Sequence, residues 1–498
     1  MQHSESGRSP FQDQRVLSGR QRGLLVLIGV GSMLEFWDAY LIGFIMAFLI
    51  KPWGLTYGVM GAVLLASGAG AVVGGMVWGA IADRLGRKPV FVASLLLLAL
   101  ASVGLALTPD GGWIYMAVLR IVIGFCTGGY FIQIALVNEF MPPQRRATLT
   151  GVVSAITTGG LLLGAFSGAF LIPALGWRWT FGLGAAPALI ALLGVFLIPE
   201  SPRWLAQQGR QAAAREAVAW ALAQPVHMVA APAAPPTASP AADAALQARP
   251  RWRDIFHYPR SVVTATLVNM GLISGYYGIV LWSPTLLSQV QRLSPARASM
   301  WMIAFSVLGM GTRLGAALLA DRIGRRKTGG YFAIVSAVAL FVAGYVGHGD
   351  LLTPAWFWAP LLLAFVFADG SFAICAVYST EIWPTRLRGS GAGFAGLTGS
   401  VGKMLGPMGL ALVAGSSSVV MPGATLNVIV PAFQFLAFCL LVCGLTYLLI
   451  GIEARGETLE TLDTRFENER NTRRARASRD GTAVRNPATR TARRPTRP

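Results

Sequence analysis

From residue 22 to residue 452, apolar stretches of about twenty residues follow one another with short polar interruptions. As a helix, each is long enough to cross a hydrocarbon layer of about 30 Å. Within that layer every backbone N–H and C=O must be satisfied inside the segment, so such a run folds as packed helices. Composition agrees: 54% of the 498 residues are hydrophobic and 13% are charged, against about 25% charged in a soluble chain. The expected fold class is an all-α membrane protein of twelve transmembrane helices. The spans are expected at 23–49, 57–80, 89–108, 113–138, 147–172, 179–198, 261–288, 298–320, 329–347, 355–379, 390–414 and 427–452. Their glycine and alanine content suits close helix contact in lipid. The first span carries Glu35 and Asp38 behind a polar segment, and so reads as a retained helix, not a cleaved signal.

The net charge of +19 raises the question of nucleic acid, and its distribution answers it. With both termini on one side, the short loops there hold Arg84, Arg87, Lys88, Arg145, Arg146, Arg322, Arg325, Arg326, Lys327, Arg386 and Arg388. The opposite loops hold Lys51, Arg178, Arg292 and Arg297. Eleven against four is the positive-inside bias, which puts both termini in the cytoplasm and the chain in the cell's inner membrane. The Arg-rich tail after Arg470 reads as a disordered segment lying near anionic lipid; no nucleic-acid partner is expected. Cys126, Cys375, Cys439 and Cys443 fall inside apolar spans without metal-ligand spacing, so no metal and no cofactor is expected.

Two motifs repeat about half a chain apart. AIADRLGRKP at 80–89 returns as LADRIGRRKT at 319–328, and NEFMPPQRRATLTG at 138–151 returns as TEIWPTRLRGSGAG at 380–393. Each pair keeps its register against the spans. A Pro- and Ala-rich stretch lies between the halves. The expected organisation is a cytoplasmic segment 1–21, a six-helix half 22–198, a cytoplasmic linker 199–260, a second six-helix half 261–452 and a basic tail 453–498. Parallel repeats joined this way are the layout of a transporter whose halves rock about a central site.

At this point the sequence resembles the major facilitator superfamily over residues 20–460. Gly79-x-x-x-Asp83-Arg84-x-Gly86-Arg87-Lys88 fits that family's motif between the second and third helices. The second copy replaces the first glycine with Ala317 but keeps Asp321, Arg322, Gly324, Arg325 and Arg326. PESPRWL at 199–205 and EARGETLE at 453–460 resemble the sugar-porter and related organic-ion branches. Arg120-x-x-x-Gly124 with Gly128-Gly129 resembles the fourth-span motif of proton-coupled members. The resemblance implies a gating role for these basic turns, together with Glu139, Arg145, Arg146, Glu381, Arg386 and Arg388. Asp83 would tie the halves together in the outward-facing state; a role in topology alone is the alternative.

Hexose porters carry glutamines in the fifth and seventh spans, which this chain lacks there. GYYGIVLWSPTLL and EFWDAYLIGF instead look like members that import organic carboxylates with protons. The expected function is proton-coupled symport of a small organic solute, an aromatic or other organic acid, by a monomer in the lipid bilayer. A sugar or polyol porter, an exporter and a non-transporting solute sensor stand as alternatives. No nucleophile constellation or Walker motif points to an enzyme.

Ionisable residues inside a membrane are costly and mark function by default. Glu35 and Asp38 share one helix face and are the expected proton carriers, Asp38 first. By resemblance Arg120 lines the same cavity, where it would respond to Asp38 or clamp a substrate carboxylate. Asp369 and Lys403 fall at similar depth, giving either a mutual salt bridge or substrate binding by Lys403. Arg313 has no evident partner. Tyr276, Tyr277, Gln133 and Asn269 complete the expected contacts.

Overall fold

The computed structural model describes residues 11, 14, 16–229, 252–348, 355–384, 387–453 and 466. Arg386, the middle of the expected linker and nearly all of the expected tail lie outside these residues. The spanning helices are labelled α1 (Gly19–Trp53), α2 (Tyr57–Leu85), α3 (Arg87–Ala106), α4 (Trp113–Glu139), α5 (Thr148–Leu175), α6 (Trp177–Leu197), α7 (Pro259–Val290), α8 (Pro295–Ile323), α9 (Arg325–His348), α10 (Ala355–Glu381), α11 (Arg388–Val413) and α12 (Pro422–Ile450). Eleven of these are long and apolar enough to cross a membrane on hydropathy alone. The other, α11, is 26 residues long, but its glycines and Lys403 make it less apolar.

Local signals account for several boundaries. Ser18 caps α1 through a reciprocal pair of bonds with Gln21, and Thr56 and Ser294 accept from backbone N–H groups in the first turns of α2 and α8. Prolines at the starts of α7, α8 and α12 sit where a helical N–H has no partner anyway.

The packing repeats between halves. α2 packs on α4 as α8 packs on α10; α1 packs on α5 as α7 packs on α11; α3 packs on α6 as α9 packs on α12. Between the halves, α2 meets α11, α5 meets α8, and α1 meets α7. Close approach needs small residues: a Cβ at Gly74 or Gly124 would run into the backbone of Phe125 or Ser67 across the α2–α4 contact.

Contact between the halves is uneven along the helix axes. At the end opposite the basic turns, Tyr57 N–H donates to Ser418 O at 3.0 Å and Gly58 N–H to Ser416 O at 2.9 Å. There Val420 N–H also donates to Leu55 O at 2.9 Å, the Tyr57 hydroxyl meets Thr425 Oγ1 at 2.7 Å, and the Tyr57 ring stacks on Trp282. Toward the basic turns this seam fades: space around Gly79 of α2 and Gly389 and Gly393 of α11 is open, and the Asp83 side chain is 80% exposed. The halves are closed at the far end and parted at the basic end.

Candidate substrate site and gates

A cleft in the middle of the bundle is lined by Phe36 and Ala39 of α1, Leu64 and Ser67 of α2, Thr127 of α4, Tyr277 and Leu281 of α7, and Lys403 of α11. Both halves contribute, as a site served by rocking halves requires. The Lys403 ammonium lies 5.2 Å from the centre of the Tyr277 ring. Among the described residues no hydrogen bond or ion pair reaches it. Around it the walls are aromatic: Tyr40 and Tyr277 face each other across the halves with ring centres 5.8 Å apart, and Phe36 meets Tyr130 edge-on at 5.3 Å.

Beside the cleft, Asp38 is wholly buried in the first half. Ser102 of α3 donates to its Oδ2, and Arg120 of α4 lies 3.5 Å from its Oδ1. Arg120 also donates to the carbonyls of Asp38 and Ala39, each at 2.9 Å, and to Ser67 Oγ at 3.4 Å. Of the two roles expected for Arg120, the geometry shows the pairing with Asp38. Its side chain is 0% exposed and its terminal nitrogens are engaged within the first half, so it is not the cation that faces the cleft. Lys403 occupies that position.

Glu35, one turn before Asp38, is also buried; its Oε2 accepts from Gln133 Nε2 at 2.7 Å, and Gln133 Oε1 accepts from Ser32 at 2.7 Å. Gln133 thus holds the Glu35 carboxylate. Asn269 is committed to the α7–α10 packing, donating to Ala265 O and Ser379 Oγ and accepting from Cys375 and Ser379.

Of the two alternatives for Asp369 and Lys403, the mutual salt bridge does not form. Asp369 is gripped at both oxygens by Arg313 at 2.7 Å. Depth along the two helices is similar, but Asp369 turns toward α8 and Lys403 toward the cleft. Arg313 also reaches the Tyr276 hydroxyl at 3.4 Å and lies over the Phe372 ring at 4.9 Å. Tyr276 therefore belongs to the wall built on this pair, and Tyr277 faces the cleft.

The basic turns form two equivalent clusters. In the first, Arg87 sits 3.6 Å from both Asp83 and Glu139, and Glu200 accepts from the backbone N–H groups of Arg87 and Lys88 at 2.9 and 3.2 Å. Trp204 donates to Asp83 O at 3.1 Å. In the second, Arg325 meets Glu381 at 3.3 Å, with Arg388 within electrostatic reach of that carboxylate, and Arg326 donates to the carbonyls of Tyr447 and Leu448. Gly86 and Gly324 have φ of 105° and 96°, and a Cβ on them would lie 2.6 and 2.7 Å from Cδ of Glu200 and Glu453. Both positions need glycine. Arg84, Asp321, Arg322 and Arg145 are exposed, and Arg146 donates to Met141 O at 3.3 Å. Glu200 and Glu453 were not among the expected gating residues. Their signal was the glutamate that follows the sixth span and again the twelfth.

Similar proteins fit this picture. The niacin transporter NiaP of Acinetobacter baylyi is 28% identical over 443 residues, 88% of this chain and 95% of its own. The cis,cis-muconate transport protein of the same organism is 28% identical over 353 residues, 70% and 77% of the two chains. The inward open structure of the xylose transporter XylE from E. coli superposes with a TM-score of 0.68 at 18% identity, covering 89% of this chain and 99% of that one. That likeness is one of fold. The sequence profile of the Major Facilitator Superfamily matches residues 28–407, and the chain belongs to that family of multi-pass membrane transporters, which are not enzymes.

Proposed function

We propose that this protein is a proton-coupled symporter of small organic carboxylates, aromatic or conjugated acids above all, working by alternating access. The observation that carries the reading is Lys403: an ammonium in a central cleft that no described residue pairs with, beside Tyr277 and with further aromatic rings close by. A planar monocarboxylate matches it, with the acid on the ammonium and the ring against tyrosine and phenylalanine faces. The niacin transporter among its relatives supports a monocarboxylate, and the muconate transport protein, whose solute is a conjugated dicarboxylate, supports the broader class of organic carboxylates. A sugar needs buried amides or hydroxyls to pair its own hydroxyls; the cleft wall offers mainly rings and aliphatic side chains, no amide, and the hydroxyls of Ser67, Thr127 and Tyr277.

The basic end is taken as cytoplasmic on the positive-inside rule, which makes the described conformation inward-facing. In the cycle, the outward-open protein takes up a proton on an α1 carboxylate and an acid anion at Lys403. Neutralising the cleft lowers the cost of closing it away from water. The seam around Tyr57 then forms, the basic end parts, and both ligands leave to the cytoplasm. The exposed Asp83 is the released form of the latch; in the outward-facing state it would engage the opposite half. The test is uptake into proteoliposomes of nicotinate, benzoate, muconate and xylose, with and without an inward proton gradient. Gradient-stimulated uptake of the acids and none of xylose is expected. Xylose uptake alone would overturn the substrate class.

A further inference from the structure

Six ionisable groups meet in the buried centre: Glu35, Asp38 and Asp369 against Arg120, Arg313 and Lys403. Two opposite pairs are in contact, Asp38 with Arg120 at 3.5 Å and Asp369 with Arg313 at 2.7 Å. Glu35 and Lys403 remain. They stand sixteen residues after Gly19 and fifteen after Arg388, at matching depth in α1 and α11, and each lies within reach of the other's charge. They do not touch. Among the described residues, Glu35 Oε1 is buried without a hydrogen-bond partner, and the Lys403 ammonium has no ion pair or hydrogen bond and lies by the Tyr277 ring.

A buried carboxylate oxygen without a donor is costly, and so is a half-buried ammonium without an acceptor. The cleft therefore has one cation, Lys403, and two anions that can balance it: Glu35 behind the wall and a substrate carboxylate within the cleft. With all six groups ionised, three charges of each sign balance. A bound monocarboxylate adds one negative charge, and one proton on Glu35 cancels it. Two arrangements are thus neutral: an ionised Glu35 with no substrate, and a protonated Glu35 with the substrate acid on Lys403.

We propose that an ionised Glu35 balances the charge of Lys403 from a distance when the cleft is empty, that the substrate carboxylate takes over that role, and that Glu35 then takes one proton, so that each monocarboxylate crosses with one proton and no net charge. This rests on the acid-symporter reading and deepens it by naming the residue that links the two ligands. The step is a proton transfer from water on the side of entry to a Glu35 oxygen, reversed on the side of exit. Asp38 stays ionised against Arg120 throughout, because Arg120 is held in place by two backbone carbonyls.

The other groups facing Glu35 fit this assignment. Tyr130 and Cys126 of α4 feel its charge, and Asp38 lies one turn on along α1. Of the packed helices α5 and α7, α7 brings Tyr277 to the cleft and Tyr276 to the wall beside it. Their only arginines, Arg146 just before α5 and Arg260 in the first turn of α7, lie at the basic end. α8 and α10 bring Arg313 and Asp369, already paired. Lys403 is the cation left for Glu35 to serve.

The test uses the full-length protein with radiolabelled nicotinate as probe. In equilibrium binding, wild-type affinity is expected to weaken by up to about tenfold per pH unit on the alkaline side, where an ionised Glu35 competes. Glu35→Gln should bind nicotinate tightly with no such slope, exchange it across liposomes, and fail to accumulate it against a proton gradient. Glu35→Asp should keep the slope, and Lys403→Gln should lose saturable binding. Wild-type uptake should ignore a potassium diffusion potential set with valinomycin, a readout that needs no variant. A Glu35→Gln protein with the wild-type slope, or wild-type uptake that follows the potential, overturns the proposal and leaves acid transport standing. Absence of nicotinate, benzoate and muconate binding by the wild type removes the symporter reading and this one with it.

Discussion

Arg313 of α8 holds both carboxylate oxygens of Asp369 of α10 at 2.7 Å, in the middle of the second half. The guanidinium also lies over Phe372 and reaches the Tyr276 hydroxyl, so this pair positions an aromatic wall beside the cleft. Removing one member leaves the other charged, buried and alone, at a cost of about 3–5 kcal/mol. Asp369→Leu and Arg313→Leu should each lower the thermal stability of the purified protein markedly. The double change Asp369→Leu with Arg313→Leu should recover much of that loss, because neither charge then needs a partner. A double-mutant cycle on melting temperature measures the coupling, and additive losses would show that the pair contributes little.

The two basic turns make a matched prediction. Gly86→Ala and Gly324→Ala each force a Cβ into a left-handed conformation and against a glutamate carboxylate. The backbone term alone is about 1–2 kcal/mol. Both variants should be destabilised, and Gly86→Ala combined with Glu200→Ala should lose less than the sum of its parts. At Gly79, where open space surrounds the added methyl, alanine should be tolerated. Melting curves of these four variants and of Glu200→Ala alone, each against the wild type, check this.

The spans, the duplicated halves and the basic turns were legible in the sequence because each is written along the chain: hydropathy gives the helices, and a repeated string gives the symmetry. Position along a helix was legible too, since it follows from the residue count. The face a residue presents was not. Asp369 and Lys403 share a depth, yet one turns to α8 and the other to the cleft, and that choice is set by packing between helices distant in sequence. For the same reason Arg313 had no visible partner, and the roles of Gln133 and Asn269 inside helix contacts could not be read. Glu200 and Glu453 were readable in principle, since each closes the same turn in its own half.

Asp38 and Glu35 should respond differently to loss of charge. Asp38→Asn removes the acid partner of a fully buried Arg120 while leaving the carbonyls that hold it. The expected result is impaired folding stability together with loss of both net uptake and exchange of nicotinate. Glu35→Gln should lose net accumulation alone. For one proton per substrate, a gradient of one pH unit is worth about 1.4 kcal/mol and supports about tenfold accumulation at most. Parallel uptake and counterflow assays separate the two. Retained gradient-driven accumulation by Asp38→Asn would show that its charge is dispensable.

The seam at the far end sets the balance between conformations. Tyr57 bonds Thr425 through its hydroxyl and stacks on Trp282, and both partners belong to the other half. At the basic end, Asp83 is exposed and paired within its own half through Arg87, so this carboxylate does not tie the halves together. Tyr57→Phe keeps the ring contact and removes a hydrogen bond of about 0.5–1.5 kcal/mol, which should shift the population toward the state open at the far end by a few-fold. Asp83→Asn should move it the opposite way if the latch forms in that state. Distances between spin labels placed on α2 and α11 near each end, measured by pulsed electron resonance, report both shifts. An unchanged distribution in Asp83→Asn would leave the repeated basic turns with topology as their role.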